Sequence, residues 1–291
     1  MQTLSDIRAM LAARGITPKH RLGQNFLHDQ NLIRKLIDAA GVAAGELVLE
    51  VGPGTGALTE AMLERGLTVV AVELDADMVA IIRERLARHL GGSLTLIEGD
   101  CLDGKYALNP AIAAALAGRS FTLVANLPYN AATPLMMNLL VDHPECRALF
   151  ITIQKEVAER LVAKPGTKQY GPLAIMAQML AAVEVIATLP PTCFWPAPEV
   201  TSAMVGVRRR GEEKPSAVSH QPPVEPGATL TPDEARSLSK FVTGLFTKRR
   251  KQLGTILGRD RADWPEGVTP DLRPEALTPA QAVALWRVVA R

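Results

Sequence analysis

Short apolar runs and amphipathic stretches alternate along the first 210 residues. Leu47-Val48-Leu49, Val69-Val70-Ala71-Val72, Leu94-Thr95-Leu96-Ile97, Phe121-Thr122-Leu123-Val124-Ala125 and Ala148-Leu149-Phe150-Ile151-Thr152-Ile153 read as strands. Between them the apolar positions recur at helical spacing, predicting helices over 57–65, 76–89 (Met78, Ile81, Ile82, Leu86), 110–116, 132–141, 154–161 and 173–181. Two further strands are expected at 183–187 and 203–207. Ahead of this block, residues 4–14 form an amphipathic pattern (Leu4, Ile7, Met10, Leu11) ended by Gly15 at C′, and Leu32, Ile33, Leu36 and Ile37 mark a second helix. Strands alternating with helices predict an α/β domain built on a parallel sheet.

The pattern breaks at 211–229, a Pro-rich stretch poor in large apolar residues, which reads as a linker. Thr231-Pro232-Asp233-Glu234 and Thr278-Pro279-Ala280-Gln281 are capping boxes with Pro at the first helical position. The first opens a helix burying Leu238, Phe241, Val242 and Leu245, and the second one burying Val283, Leu285, Trp286 and Val289. The expected organisation is a domain over 1–210, a linker over 211–229 and a small all-helical domain over 230–291. About 60 residues make a weak core, so the helical part should pack against the first domain.

Charge adds a partner to this picture. Residues 1–229 carry 21 Lys and Arg against 23 Asp and Glu, whereas 230–291 carry 11 against 7. Two clusters, Arg208-Arg209-Arg210 and Lys248-Arg249-Arg250-Lys251, point to a polyanion. Arg208, Lys248, Arg249, Arg250 and Lys251 are the candidate RNA contacts. No run approaches the roughly 18 apolar residues of a membrane span, and the N-terminus lacks the apolar core of a signal peptide. Cys101, Cys146 and Cys193 are few, odd in number and far apart, which suits a reducing cytoplasm. The five histidines show no ligand spacing, so no metal site is expected.

The chemistry begins at Glu50-Val51-Gly52-Pro53-Gly54-Thr55-Gly56. A strand ends in a carboxylate, a turn carries three alternate glycines (Gly52, Gly54, Gly56), and a helix follows. Such a turn lets backbone approach a ligand and presents free N–H groups to it. Its spacing differs from the G-x-G-x-x-G of dinucleotide sites and resembles that of S-adenosylmethionine-dependent methyltransferases. On that reading Glu73, ending the second strand, accepts from ribose hydroxyls, with Asp75 the alternative. Asp100 accepts from the adenine amino group while the Cys101 N–H donates to the ring.

Asn126-Leu127-Pro128-Tyr129 ends the fourth strand and resembles the N/D-P/L-P-Y/F loop of methyltransferases acting on exocyclic amines. The lone pair of an adenine amino group is delocalised and weakly nucleophilic. Two acceptors, the Asn126 side-chain oxygen and the Leu127 carbonyl, would localise it, with Pro128 preorganising the loop. Tyr129 would stack on the base. The prolines of Phe194-Trp195-Pro196-Ala197-Pro198 hold that loop extended, placing Phe194 opposite Tyr129 to sandwich a flipped base, with Trp195 in the core.

With G-Q-N-F-L at 23–27, E-G-D at 98–100 and R-P-E-A-L at 273–277, these motifs occur in one family's order. From residue 19 onward the chain resembles the bacterial small-subunit (16S) ribosomal RNA adenine dimethyltransferases. The resemblance implies a Rossmann-like class I S-adenosylmethionine-dependent methyltransferase domain with a small all-helical C-terminal domain. It also implies that Gln24, Asn25 and Leu27 cover the cofactor and target base. The implied substrate is two adjacent adenines near the 3′ end of 16S rRNA, dimethylated in an immature small ribosomal subunit by a cytoplasmic monomer. Methylases of 23S RNA share most motifs, and a catalytically inactive assembly factor is the non-enzyme alternative. Ala131-Ala132-Thr133 departs from the β-branched or hydroxyl residues usual after N-L-P-Y-N, which bears on loop stiffness.

Overall fold

The computed structural model describes residues 2–104, 107–211 and 230–290, so nearly all of the 211–229 stretch lies outside the described residues. Seven strands form the central sheet: β1 (Leu47–Val51), β2 (Thr68–Glu73), β3 (Leu94–Glu98), β4 (Phe121–Asn126), β5 (Cys146–Gln154), β6 (Ala181–Leu189) and β7 (Ser202–Arg209). Their spatial order is β3-β2-β1-β4-β5-β7-β6. The first five run parallel, and β7 is antiparallel to both β5 and β6.

The apolar runs lack polar alternation because both faces of the sheet are covered. On one face Leu47, Leu49 and Val51 of β1 join a cluster with α5 (Pro110–Leu116), α6 (Tyr129–Asp142) and α8 (Pro172–Leu180). On the other, Val48 packs with α2 (Gln30–Ala40) and α3 (Ala57–Glu64). Glu50 shares the parity of Val48, and Glu73 that of Val69 and Ala71. Both carboxylates therefore end strands on the α3 side.

Helix α1 (Leu4–Ala13) starts in a capping box at Thr3 and ends with Gly15 at φ +63. α4 (Ala76–Arg85) is shorter than the 76–89 pattern, whose end is a 3-10 turn. α6 begins three residues earlier than expected, so Tyr129 sits in its first turn. Two ribbons went unforeseen because two-residue strands leave no periodicity: Phe26–Leu27 with Phe194–Trp195, and Leu102–Asp103 with Ala107–Leu108.

The helical C-terminal part is docked. Leu238 and Val242 of α9 (Pro232–Thr247) and Leu285 and Trp286 of α11 (Pro279–Val289) belong to the same apolar cluster as α6 and α8. Both capping boxes form as the sequence predicts. Tyr170, fully buried, donates its hydroxyl to the Leu277 carbonyl at 2.7 Å.

The arginine run at the end of β7 is structural, which corrects the assignment of Arg208 to RNA. Arg208 donates to the Ala39 carbonyl in the last turn of α2 (2.7 Å) and lies 4.4 Å over the Phe150 ring. Arg209 donates to the carbonyls of Leu139, Leu140, His143 and Cys146 around the end of α6. Arg210 reaches the Gln178 carbonyl near the end of α8 (2.8 Å). Each guanidinium meets a helix C-terminus, where unpaired carbonyls and the negative dipole end need a cation. Arg209→Met should therefore cost about 3 kcal/mol by urea denaturation, because four carbonyls lose a charged donor. A loss below about 1 kcal/mol would mean that water replaces the guanidinium.

Candidate active site

A cleft opens at the C-terminal ends of β1, β2, β3 and β4, the end of a parallel sheet where loops converge. Its floor is the glycine turn. Gly52, Gly54 and Gly56 have φ of +70, +57 and +81, so all three need the left-handed region. A Cβ on Gly54 would stand 2.8 Å from the Phe26 ring, and one on Gly52 would stand 3.2 Å from Pro128. The turn is thus pressed between the 23–27 segment and the loop after β4. From outside, Gln2 (2.9 Å) and Arg85 (2.7 Å) both donate to the Thr55 carbonyl.

Glu73 ties the walls together. One carboxylate oxygen accepts the Gly54 N–H (3.0 Å) and the other the Asp75 N–H (2.9 Å). Burial raises its pKa against the backbone donors of Asp75, Gly54 and Leu74. Glu50 is 1% exposed and accepts from the Thr59 hydroxyl at 2.7 Å. Burial, with the charge of Glu73 adding to it, pushes the Glu50 carboxyl up to about 8. Burial thus favours the protonated carboxyl at neutral pH.

Asp75 is committed elsewhere. It accepts from Lys19 (2.5 Å), Gln24 (2.6 Å) and the Asp77 N–H (3.1 Å) and does not line the cleft, whereas Glu73 does. The same network occupies Gln24, whose carbonyl accepts the Lys19 N–H at 2.7 Å. Gln24 lines the cleft and also braces it, joining Lys19 to Asp75. Asn25 and Leu27 also line the cleft. Asp100 turns one oxygen to the Leu102 N–H (3.0 Å) and stays exposed at the rim. Cys101 beside it is buried, and its thiol is pushed up to about 12 chiefly by that burial.

Opposite the glycine turn, Asn126 donates its amide to the Asn25 carbonyl at 3.0 Å and accepts from the Thr152 hydroxyl. The Leu127 N–H donates to the Thr152 carbonyl at 3.1 Å, and Pro128 packs on Gly52. Tyr129 is half-buried, its hydroxyl 2.8 Å from that of Ser202. Leu127, Tyr129, Gly56 and Phe194 do not line the cleft. For Phe194 this is a correction. It is 3% exposed, lies in the apolar cluster beneath the site and pairs with Leu27, so its ring presents no face to a base. Trp195 stacks on Phe26 with ring centres 6.3 Å apart. Sequence reasoning missed Thr152, Gln2 and Arg85, and gave no role to Ser202 at the end of the F-x-P-x-P-x-V-x-S motif, because the partner of a single polar side chain leaves no local pattern.

The donors and acceptors fit S-adenosylmethionine. Two buried carboxylates suit a cationic, hydroxyl-bearing ligand, and the floor admits it only because Cβ atoms are missing. Strand order 3-2-1-4-5-7-6, the single antiparallel strand and this cleft define a Rossmann-like S-adenosylmethionine-dependent methyltransferase. The model of the ribosomal RNA adenine dimethylase family matches residues 16–290, and the chain belongs to that family. It is 38% identical to the ribosomal RNA small subunit methyltransferase A of Magnetococcus marinus, over 98% of this chain and 96% of the relative. The enzyme of that name from Bifidobacterium longum subsp. infantis is 35% identical over 98% and 92%. Among solved structures, a dimethyladenosine transferase from Plasmodium falciparum shares the fold with a TM-score of 0.64 at 21% identity, covering 89% of this chain and 95% of that one. The 23S rRNA methyltransferase ErmE superposes with a TM-score of 0.59 at 22% identity, covering 92% and 100%.

Two outcomes follow from the floor and its carboxylates. Gly54→Ala should weaken S-adenosylmethionine binding about tenfold or more in a calorimetric titration, the equivalent of roughly 1.4 kcal/mol, because the added methyl strikes the Phe26 ring. Unchanged affinity would mean that Phe26 moves freely. Glu50, with an ordinary value of 4.5, ionises first in the unfolded chain and only near 8 in the folded one. Its contribution to stability is full below 4.5 and is lost as pH rises to about 8. Glu50→Gln should flatten that fall in melting temperature, with its advantage greatest above pH 8 and absent near pH 4.5. An unchanged slope would assign the pH dependence to another group.

Proposed function

We propose that this chain dimethylates the N6 amino groups of two adjacent adenines near the 3′ end of 16S rRNA, in an immature small ribosomal subunit. The full-length likeness to small-subunit methyltransferases carries this reading. The fold alone does not choose, since a 23S rRNA methyltransferase shares it.

When bound, S-adenosylmethionine supplies an electrophilic methyl group carried on a positive sulfonium. The protein's part is to place an adenine amine and localise its lone pair. The Asn126 side-chain oxygen keeps one lone pair beside the Thr152 hydroxyl, enough to accept one N–H of the amine. The Leu127 carbonyl accepts the other, and Pro128 holds both acceptors against Gly52. Tyr129, its hydroxyl tied to Ser202, offers one aromatic face to the base. Stacking of this kind contributes about 1–3 kcal/mol per base. The alkylated nitrogen is acidic enough to lose its proton without a strong protein base.

RNA contact rests on the turn after α9. Lys248, Arg250 and Lys251 are exposed there, beyond the helix end at Thr247. Arg249 differs from its neighbours. Its guanidinium pairs with Glu275 at 2.5 Å and donates to the Thr167 and Lys168 carbonyls at 2.9 Å. That residue binds the helical part to the 164–171 loop.

Labelled cofactor incubated with unmodified 30S and 50S subunits tests the substrate. Label should enter the 30S subunit and yield N6,N6-dimethyladenosine on nucleoside digestion, and label in 50S alone would overturn the assignment. Asn126→Ala should lower turnover about 100–1000-fold with cofactor affinity retained. Wild-type turnover would remove the amine-acceptor role. Changing Lys248, Arg250 and Lys251 to Gln should flatten the salt dependence of subunit binding by about 0.7–0.9 in log–log slope per lost contact. Arg249→Gln should instead lower the melting temperature. A reversed pattern would exchange the two roles.

A further inference from the structure

The geometry points to Thr152 as a positioning residue for methyl transfer, one that fixes both acceptors presented to the target amine. The inference rests on Asn126 and Leu127 acting as those acceptors. Thr152 lies on β5 directly across from Asn126 in the register of the two parallel strands, and it is 1% exposed. It does not line the cleft.

The orientation of the Asn126 amide follows from its neighbours. The Asn25 carbonyl can only accept, so the group 3.0 Å from it is the Asn126 amide nitrogen. The amide oxygen is then turned toward the Thr152 hydroxyl, and since that oxygen can only accept, Thr152 donates. An asparagine terminal torsion is otherwise broad and close to two-fold, so the amide would swing or invert without these two partners. One of them, Asn25, belongs to the 23–27 segment lying over the cleft. Thr152 belongs to the rigid sheet. It keeps the Asn126 oxygen aimed when the covering segment moves to admit cofactor or base.

The backbone of the same residue holds the second acceptor. The Thr152 carbonyl takes the Leu127 N–H at 3.1 Å, which fixes the peptide leading to the Leu127 carbonyl. Thr152 itself is held from its other side by β7, opposite Met204. Side chain and main chain of one buried residue thus set the separation of the two acceptors. A serine keeps the donor, and a valine keeps the volume while losing it.

The test measures turnover, KM for unmodified 30S subunits, cofactor affinity by calorimetry and melting temperature. Thr152→Val should lower kcat about ten- to a hundredfold, as small misplacements of positioned groups do, with KM and cofactor affinity within about twofold. Thr152→Ser should restore turnover to within about threefold. The Asn126→Ala/Thr152→Val double variant should be no slower than Asn126→Ala, because the threonine hydroxyl acts only through the asparagine and the main-chain bond to Leu127 is kept in both. If Thr152→Val fails to fold, Thr152→Ala removes the same donor without placing a methyl group against the amide. A donor-less variant at wild-type turnover would overturn the proposal. So would a serine variant as slow as valine, or a valine loss that persists in full on Asn126→Ala. Wild-type turnover of Asn126→Ala alone would instead defeat the underlying reading of the amine acceptors.

Discussion

One buried carboxylate joins the two loops on which the cleft is built. Glu73 ends β2 and accepts an N–H from Gly54 in the loop after β1 and another from Asp75 in its own. It shares the sheet side of the glycine turn with one main-chain bond, in which the Gly52 N–H donates to the Val72 carbonyl of β2 at 3.0 Å. Together they hold a backbone that is left-handed at three alternate positions. The turn is gripped elsewhere by packing: Phe26 over Gly54, Pro128 over Gly52, and two donors on the Thr55 carbonyl. Asp75 then passes the constraint to Lys19 and Gln24, so the segment covering the cleft is fastened to the loop that carries Glu73. The turn is thus held at Gly52, Gly54 and Thr55, from the sheet, from the 23–27 segment and from the loop after β4.

Much of this was legible in the chain itself. The strand and helix spacing, the capping boxes at Thr231 and Thr278 and the positions of Glu50, Glu73 and Asn126 follow from periodicity and from residue types with few alternative uses. What could not be read was the partner of each polar group. The sequence Arg208-Arg209-Arg210 looks like a polyanion site, and only the fold shows three helix C-termini converging on the end of β7. Arg249 and its neighbours are chemically alike and adjacent, yet Glu275 and two carbonyls lie within reach of one alone. Phe194 follows the same logic. Its motif suggested a stacking face, and a two-residue ribbon with Leu27 turned the ring into the core. Local pattern predicts elements well because elements are local, whereas the fate of a guanidinium or an aromatic ring is decided by residues far away in sequence.

The two clustered carboxylates show how burial changes what an acidic residue is. Glu50 and Glu73 end neighbouring strands on the same face, too close and too dry for both to ionise comfortably. Glu73 has backbone donors from Gly54, Leu74 and Asp75 and Glu50 a single hydroxyl, so burial raises Glu50 with less to oppose it. A cleft that is partly neutral when empty and can become more anionic around a cation discriminates by charge without leaving an unpaired charge buried beforehand.

The shared core of α6, α8, α9 and α11 bears on how an RNA is measured. Tyr129 opens α6 next to Pro128 of the cleft wall, and α6 packs along α9, beyond whose far end lie Lys248, Arg250 and Lys251. One apolar cluster joins these helices, and Arg236 of α9 pairs with Asp142 at the end of α6. The span from the amine acceptors to the basic turn is therefore a fixed ruler. On the proposed reading, with phosphates at the basic turn and an adenine at Asn126, a span of fixed length selects an RNA by the spacing of its folded parts, and the same nucleotides held at another distance would not bridge it.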